Sequence, residues 1–131
     1  MKGRTIYPGR AEGEAIVSRE AIGFYGGVDM KTGIVIEKGH ELEGKNIKGK
    51  ILVFPYGKGS TVGSYVIYGL KKNGVAPSAI VNKETETIVA TGAILAGIVC
   101  IDRVNIDEIE NGDFVKIIAG EKEGEIIIEK K

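Results

Sequence analysis

The fold is decided by the stretch ILVFPYGKGSTVGS, residues 51–64, which passes from an apolar segment through a glycine-rich turn into a helical pattern. Four consecutive apolar residues, 51–54, predict a strand that is buried on both faces, and Pro55 prevents its simple continuation. The glycines let the backbone turn sharply and approach a ligand closely, while free amides at a helix start favour an anion. The turn therefore predicts a place for a carboxylate, a phosphate or a serine alkoxide, with Ser60 at its centre.

The segment after the turn is predicted to be a helix with one apolar face. Apolar or small residues recur there with helical spacing, namely Val62, Tyr65, Val66, Gly69 and Leu70. Ser60 or Thr61 is the expected N-cap, and Asn73-Gly74 supplies the C-terminal stop. Tyr65 and Tyr68 are expected to be packing residues.

Further along the chain, strands and helices alternate. Residues 79–81 and 98–101 predict buried strands, and Thr85 is the expected cap of a helix that carries Ile88, Leu95 and Ala96 on one face. An alternation of strand, helix, strand, helix and strand favours parallel pairing with right-handed crossovers.

The remaining segments predict a β-rich α/β domain. Residues 11–18 and 33–36 are expected to be strands, and 113–118 and 124–128 are expected to pair antiparallel through the charged turn 119–123. With 131 residues, 43% of them hydrophobic, the chain is expected to form a single domain, 1–131, with its own core.

Composition argues against several classes of partner. Eighteen basic residues balance eighteen acidic residues, so no electrostatic footprint indicates a nucleic acid or an anionic membrane. No apolar run approaches the ~20 residues that span a bilayer, and no signal peptide is recognisable. We therefore expect a cytoplasmic protein.

The sequence contains few candidate metal ligands. Cys100 is the only cysteine and lies in an apolar run, which predicts a buried strand residue and excludes a cysteine-ligated cluster built by this chain alone. His40 is the only histidine, and its polar surroundings predict an exposed loop residue rather than a metal ligand. No metal site is expected in this chain.

Two nucleotide-binding motifs fail on spacing. A P-loop requires glycine and hydroxyl residues where Leu52 and Gly59 stand, and a dinucleotide fingerprint requires a glycine where Val62 stands. The simplest alternative is a capped helix after a tight turn, with no ligand.

Three more polar residues are candidates for a site, each with an ordinary alternative. Asn82 follows the strand 79–81, at the same sheet edge as Ser60, where it either orients a substrate or caps a loop. Asp29 ends the two-glycine turn 26–29, which is often only a turn. Lys58 is either a solvated charge or a source of positive potential beside Ser60.

Taken together, the chain resembles the small, swivelling-domain subunits of the aconitase-X family through nearly its whole length. The resemblance rests on four ordered blocks: FYGGVD (24–29), VFPYGKGSTVGSY (53–65), AIVN (79–82) and ATGAILAGI (90–98). Thr61 departs from a second serine that is common in the family, but Ser60 is in place.

The resemblance implies a swivelling β/β/α domain that closes over a large catalytic subunit holding an iron–sulfur cluster. It implies a hydro-lyase that dehydrates a small anionic substrate, (R)-5-phosphomevalonate, to trans-anhydromevalonate 5-phosphate. By position in the motif, Ser60 matches the serine that removes the proton next to the carboxylate. Gly57, Lys58, Gly59 and Thr61, with Asn82 and Asp29, are the expected site-lining residues.

Three alternatives stay open. A related aconitase-X enzyme acting on cis-3-hydroxyproline keeps the same serine and changes the substrate. A phosphohistidine swivelling domain shares the fold but needs a histidine in a glycine-rich active loop, whereas His40 lies outside the glycine motif. A non-catalytic assembly subunit would tolerate substitution of Ser60.

Overall fold

Seven strands and two helices form the protein in a computed structural model that describes residues 1–131. In chain order the elements are β1 (Lys2–Tyr7), β2 (Gly9–Val17), β3 (Ile51–Phe54), α1 (Gly63–Lys72), β4 (Ala79–Asn82), α2 (Thr87–Ala96), β5 (Val99–Asp102), β6 (Phe114–Ala119) and β7 (Glu123–Glu129). A 3₁₀ turn, Ile106–Glu108, follows β5. Neither helix is long and apolar enough to cross a bilayer.

The strands close into a barrel in the order β1-β5-β4-β3-β2-β6-β7, with β7 pairing back to β1. The three pairs β2–β3, β3–β4 and β4–β5 are parallel, and the other four pairs are antiparallel. The predicted α/β class, the β3-α1-β4-α2-β5 alternation and the β6–β7 hairpin are all confirmed. Parallel β3, β4 and β5 place the loops that follow them at one edge of the barrel.

The parallel strands are buried on both faces. Alternate residues such as Val53 and Ile101 point into the barrel and join a cluster of 15 buried residues. Their neighbours, such as Leu52, Phe54 and Cys100, point outward into a second cluster of 18 buried residues under the helices and the segment 18–50. This double burial explains why 51–54 is apolar without interruption.

Two strand assignments differ from prediction. Residues 33–36 do not form a strand: Ile34 and Val35 make only single bridges, to Asn46 and Val28, within a segment of successive turns. β1 was not predicted, because Lys2–Tyr7 begins with polar residues and lacks a clean alternation.

His40 is buried, so the prediction of an exposed loop residue is wrong. The Leu42 N–H donates to Nδ1 at 3.0 Å, and Nε2 lies 3.0 Å from the Ala21 carbonyl oxygen, which assigns the proton to Nε2. The segment 18–50 lacks a regular ladder of backbone hydrogen bonds. The ring satisfies backbone groups that a strand would otherwise pair.

The helices expose side chains that were expected to pack. Tyr65 is 68% exposed and Leu95 is 52% exposed, because the two helices meet through small residues instead. A side chain at Gly92 would come within 2.7 Å of Ile67, so this glycine permits the close approach of α2 to α1. The buried face of each helix is therefore rotated relative to the one that apolarity predicts.

A partly buried ion pair ties β1 to β5. Arg4 donates from Nε and Nη2 to the two carboxylate oxygens of Asp102 at 2.9 and 2.8 Å, and the Thr85 N–H donates to Oδ2 at 2.7 Å. Burial works to raise the pKa of Asp102, but the Arg4 and Thr85 hydrogen bonds outweigh it and the pKa is lowered. The Asp102 side chain is inaccessible to solvent while the Arg4 head is partly exposed.

We predict that Arg4→Ala lowers the free energy of unfolding by about 2 kcal/mol, less than for a fully buried pair because water can replace the Arg4 head. Since the pKa of Asp102 is lowered by folding, this stabilisation is present above the unfolded pKa and is lost as the pH falls through the folded value. Urea unfolding at several pH values should show the wild-type advantage shrinking below about pH 4. An equal effect at every pH would contradict this account.

Burial raises the pKa of the Cys100 thiol to about 12. We predict that Ellman's reagent at neutral to mildly alkaline pH labels Cys100 at least about 100-fold more slowly in the folded protein than in guanidinium. Labelling of the folded protein as fast as that of the protein in guanidinium would contradict this burial and show that β5 opens readily.

Candidate functional site

The glycine-rich loop connects the end of β3 to α1 at the edge where the parallel strands end. Gly59 has a φ of +84°, a conformation that glycine adopts without strain, and the loop reverses there. The next residue, Ser60, is exposed, and its carbonyl accepts the Gly63 N–H at 2.9 Å. The loop therefore presents the Ser60 side chain to solvent in front of α1.

The Ser60 hydroxyl accepts one backbone N–H, and the amides next to it in the chain are unpaired. Its Oγ accepts the Val62 N–H at 3.1 Å, while the N–H groups of Gly59, Ser60 and Thr61 donate to no acceptor within the protein. These amides, together with the positive end of the α1 dipole, favour a negative charge at this position. α1 itself starts later than predicted: its N-cap is Val62, which has no side-chain acceptor, so the predicted cap at Ser60 or Thr61 is wrong.

Gly57 lies beneath the loop, against the start of α2. A Cβ there would lie 2.6 Å from Cγ2 of Val89 and closer still to Oε1 of Glu86. The Glu86 carboxylate accepts the Ile88 and Val89 N–H groups at 2.7 and 2.9 Å and so caps α2. Gly57 is buried and supports the loop from below rather than lining an open site.

Glu86 takes the capping role that the sequence predicts for Thr85. The Thr85 N–H donates to Asp102, and its hydroxyl donates to the Asn82 side chain at 2.9 Å, so Thr85 is engaged elsewhere. Sequence analysis did not identify Glu86 as the cap, because glutamate is a less favoured N-cap residue than threonine.

Lys58 is held from the other side. Its N–H donates to the Ile22 carbonyl at 3.0 Å, and its Nζ lies 3.3 Å from Oε2 of Glu37. The segment 18–50 thus fixes the loop through one backbone bond and one ion pair. The ammonium charge is partly balanced by Glu37, a residue that no motif singled out.

Asn82 is inaccessible to solvent at the end of β4. Its Nδ2 donates to the Phe54 carbonyl at 2.9 Å, and its Oδ1 accepts the Thr85 hydroxyl at 2.9 Å. The side chain therefore joins the ends of β3 and β4 to the loop that enters α2. It shares a sheet edge with Ser60 but is turned into the core.

Asp29 lies in a turn at the other end of α1. Its Oδ1 accepts the Lys31 N–H at 2.9 Å, and the neighbouring Met30 carbonyl accepts the Asn73 side-chain amide just past the helix. Because α1 rises about 1.5 Å per residue, its ten residues separate this turn from Ser60. The structure brings residues 57–61 together and places Asp29 apart from them.

A groove of about 230 Å³ runs from the loop between the two helices. It is lined by Thr61, Ser64, Tyr65, Thr87, Ile88, Thr91 and Leu95. Ser64 fixes the helix pair, because its hydroxyl donates to the Ile88 carbonyl at 2.9 Å. Larger cavities lie elsewhere on the surface and do not include the loop.

The residues of this chain do not fit an iron–sulfur cluster or another metal. Cys100 is buried with a raised pKa, and no group of three or more histidine, cysteine, aspartate or glutamate residues is arranged to hold a metal ion. We assign no metal ligand to it.

Comparison with known proteins agrees with this architecture. The family model of the aconitase X swivel domain matches residues 1–128. The phosphomevalonate dehydratase small subunit of Thermococcus sibiricus is 52% identical over 99% of this chain and 98% of its own length. That of Methanosarcina acetivorans is 56% identical over 97% and 90%. The crystal structure of Thermococcus kodakaraensis aconitase X, in its holo-form, superposes with a TM-score of 0.92 at 54% identity, covering 97% of this chain and 98% of the other.

Substitutions of two loop glycines should separate packing from backbone strain. We predict that Gly57→Ala lowers the free energy of unfolding by about 2 kcal/mol, because the new methyl group must displace Glu86 and Val89. Gly59→Ala meets no atom within 4 Å and should cost only about 1 kcal/mol, from its positive φ. Denaturant unfolding of both variants tests this, and the reverse ranking would contradict the placement of Glu86.

Proposed function

Because the chain belongs to the aconitase X swivel domain family, we propose that it is the small subunit of a phosphomevalonate dehydratase, a hydro-lyase. The observation that carries the proposal is the identity of 52 to 56% to small subunits of that name over nearly the full length of both chains. The superposition on Thermococcus kodakaraensis aconitase X, with a TM-score of 0.92, supports the same fold. The substrate is (R)-5-phosphomevalonate and the product is trans-anhydromevalonate 5-phosphate.

The chain works as one half of an active site. It is a single swivelling domain, residues 1–131, that closes over a large subunit, and the exposed loop residues 58–61 face the partner's side of the shared site. The iron–sulfur cluster belongs to the large subunit, since the residues of this chain do not fit one. A cytoplasmic location stays a prediction.

Ser60 is the base of the reaction. The bond between hydrogen and the carbon next to the carboxylate breaks, and the proton moves to Oγ of Ser60. The electron pair left on carbon forms the new double bond as the hydroxyl group departs from the adjacent carbon as hydroxide. The hydroxide takes up a proton to give water, and loss of the transferred proton from Oγ to solvent restores the alkoxide. A neutral serine hydroxyl is too weak a base for this step, so the loop must stabilise an alkoxide.

The geometry supports such an alkoxide. The Val62 N–H already donates to Oγ, and the unpaired amides of Gly59, Ser60 and Thr61 belong to the same turn, just before the positive end of α1. These dipoles act more strongly once a partner excludes water. Lys58 is balanced by Glu37, so further positive charge must come from the large subunit or from a rearrangement of that pair.

The proposal is tested by anaerobic turnover of (R)-5-phosphomevalonate, followed by product mass. The chain co-purified with its large subunit should release water, while either subunit alone should not. Cis-3-hydroxyproline is assayed in parallel. Turnover of that substrate, with none of the phosphomevalonate, would replace the proposed substrate by the alternative.

We predict that Ser60→Ala lowers kcat at least about a thousandfold, the scale expected for a lost general base, while the two subunits still co-purify. The matched control is Ser78→Ala, which removes a serine hydroxyl at the opposite end of the parallel strands, where it donates to the Gly49 carbonyl. The control should retain wild-type turnover. Near-wild-type turnover of Ser60→Ala would instead favour a non-catalytic assembly subunit.

A further inference from the structure

α2 has an exposed face without a single charge. Its sequence, TIVATGAILA, contains no charged residue, although 27% of the whole chain is charged. The buried side of the helix comprises Val89, Gly92, Ala93 and Ala96, and the opposite side exposes Thr87, Thr91, Ile94 and Leu95. Ile94 is 53% exposed and Leu95 52%. A surface helix of a free protein normally carries charged residues on that side.

The uncharged face of α2 continues across the groove to α1 and to the glycine-rich loop that carries Ser60. Tyr65 of α1 and Thr61 of the loop line the same groove as Thr87, Thr91 and Leu95. Thr61 directly follows Ser60. We define the helix face as Thr61, Tyr65, Thr87, Thr91, Ile94 and Leu95. None of these six residues carries a charge, and five of them line the groove that begins at Thr61.

We infer that the helix face is the surface on which the large subunit docks, and this inference rests on the proposed function. An uncharged face loses little hydration free energy when it is covered, whereas the lysine- and glutamate-rich remainder of the surface would lose much more. Tyr65, Ile94 and Leu95 add exposed apolar side chains to this face, and clustered exposed apolar residues mark interaction sites. The partner surface that fits it is correspondingly apolar and uncharged.

Position favours the large subunit over a second copy of this chain. The helix face borders Ser60, so whatever covers it also borders the reacting groups and excludes water from the loop. A second copy brings another Ser60 loop and no metal ligands, and it therefore completes no site. The large subunit brings the missing half.

A glutamate on the helix face tests the inference. Leu95→Glu and Tyr65→Glu are each mixed with the large subunit from the same source, and the dissociation constant is measured by calorimetry. Each should weaken binding at least about tenfold, because a charge would be buried without a partner. Ile118→Glu is the matched control, since Ile118 is also a large apolar residue, 42% exposed, but lies on β6. It should bind within about twofold of wild type.

Thermal unfolding of each free variant checks that it folds, as expected for exposed positions. Unchanged affinity of both folded face variants would overturn the inference. So would a wild-type chain that is dimeric alone and becomes monomeric with Leu95→Glu, because a second copy would then occupy the face.

Binding and chemistry are separated by two further measurements. Ser60→Ala should bind the large subunit with wild-type affinity. If the face variants lose binding while the wild-type complex forms but leaves (R)-5-phosphomevalonate unchanged, the docking surface stands and the proposed substrate fails.

Discussion

The burial of β3, β4 and β5 on both faces is the constraint on which the rest of the structure depends. Val53 and Ile101 fill the barrel, while Leu52 and Phe54 fill the core beneath the helices. A strand of this kind cannot shift by one residue without exchanging its two sets of side chains between differently shaped cores. Its register is therefore strongly determined, and so is the position at which each strand ends and its loop begins.

The loop with Ser60 inherits this precision from supports on two sides. From below, Gly57 leaves room for Glu86, so the carboxylate that caps α2 lies directly against the loop. From the side, the 18–50 segment holds Lys58 through Ile22 and Glu37. Ser60 is left exposed, and the N–H groups of residues 59–61 have no acceptor within the protein. A loop that is supported on two sides and exposes its central residue to solvent suits a site that a second subunit completes.

Charged residues are distributed unevenly over the surface. Away from the helix face, ion pairs such as the one between Arg4 and Asp102 join strands that are distant in sequence. Beneath the helix face, small buried residues such as Gly92 bring α1 and α2 together, and Tyr65 and Leu95 are turned outward. The same packing that forms the core thus produces an apolar surface next to the loop.

The sequence by itself determined the α/β class, the alternation of parallel strands and helices, and the loop that carries Ser60, because those features depend on local periodicity and on glycine. Only the tertiary structure decided which side chains face the loop. Asn82 turns into the core and Asp29 lies in a turn beside the C-terminal end of α1, while Glu86 and Glu37 reach the loop from elsewhere in the chain. Such contacts depend on how separate elements pack, and no local pattern encodes their distances.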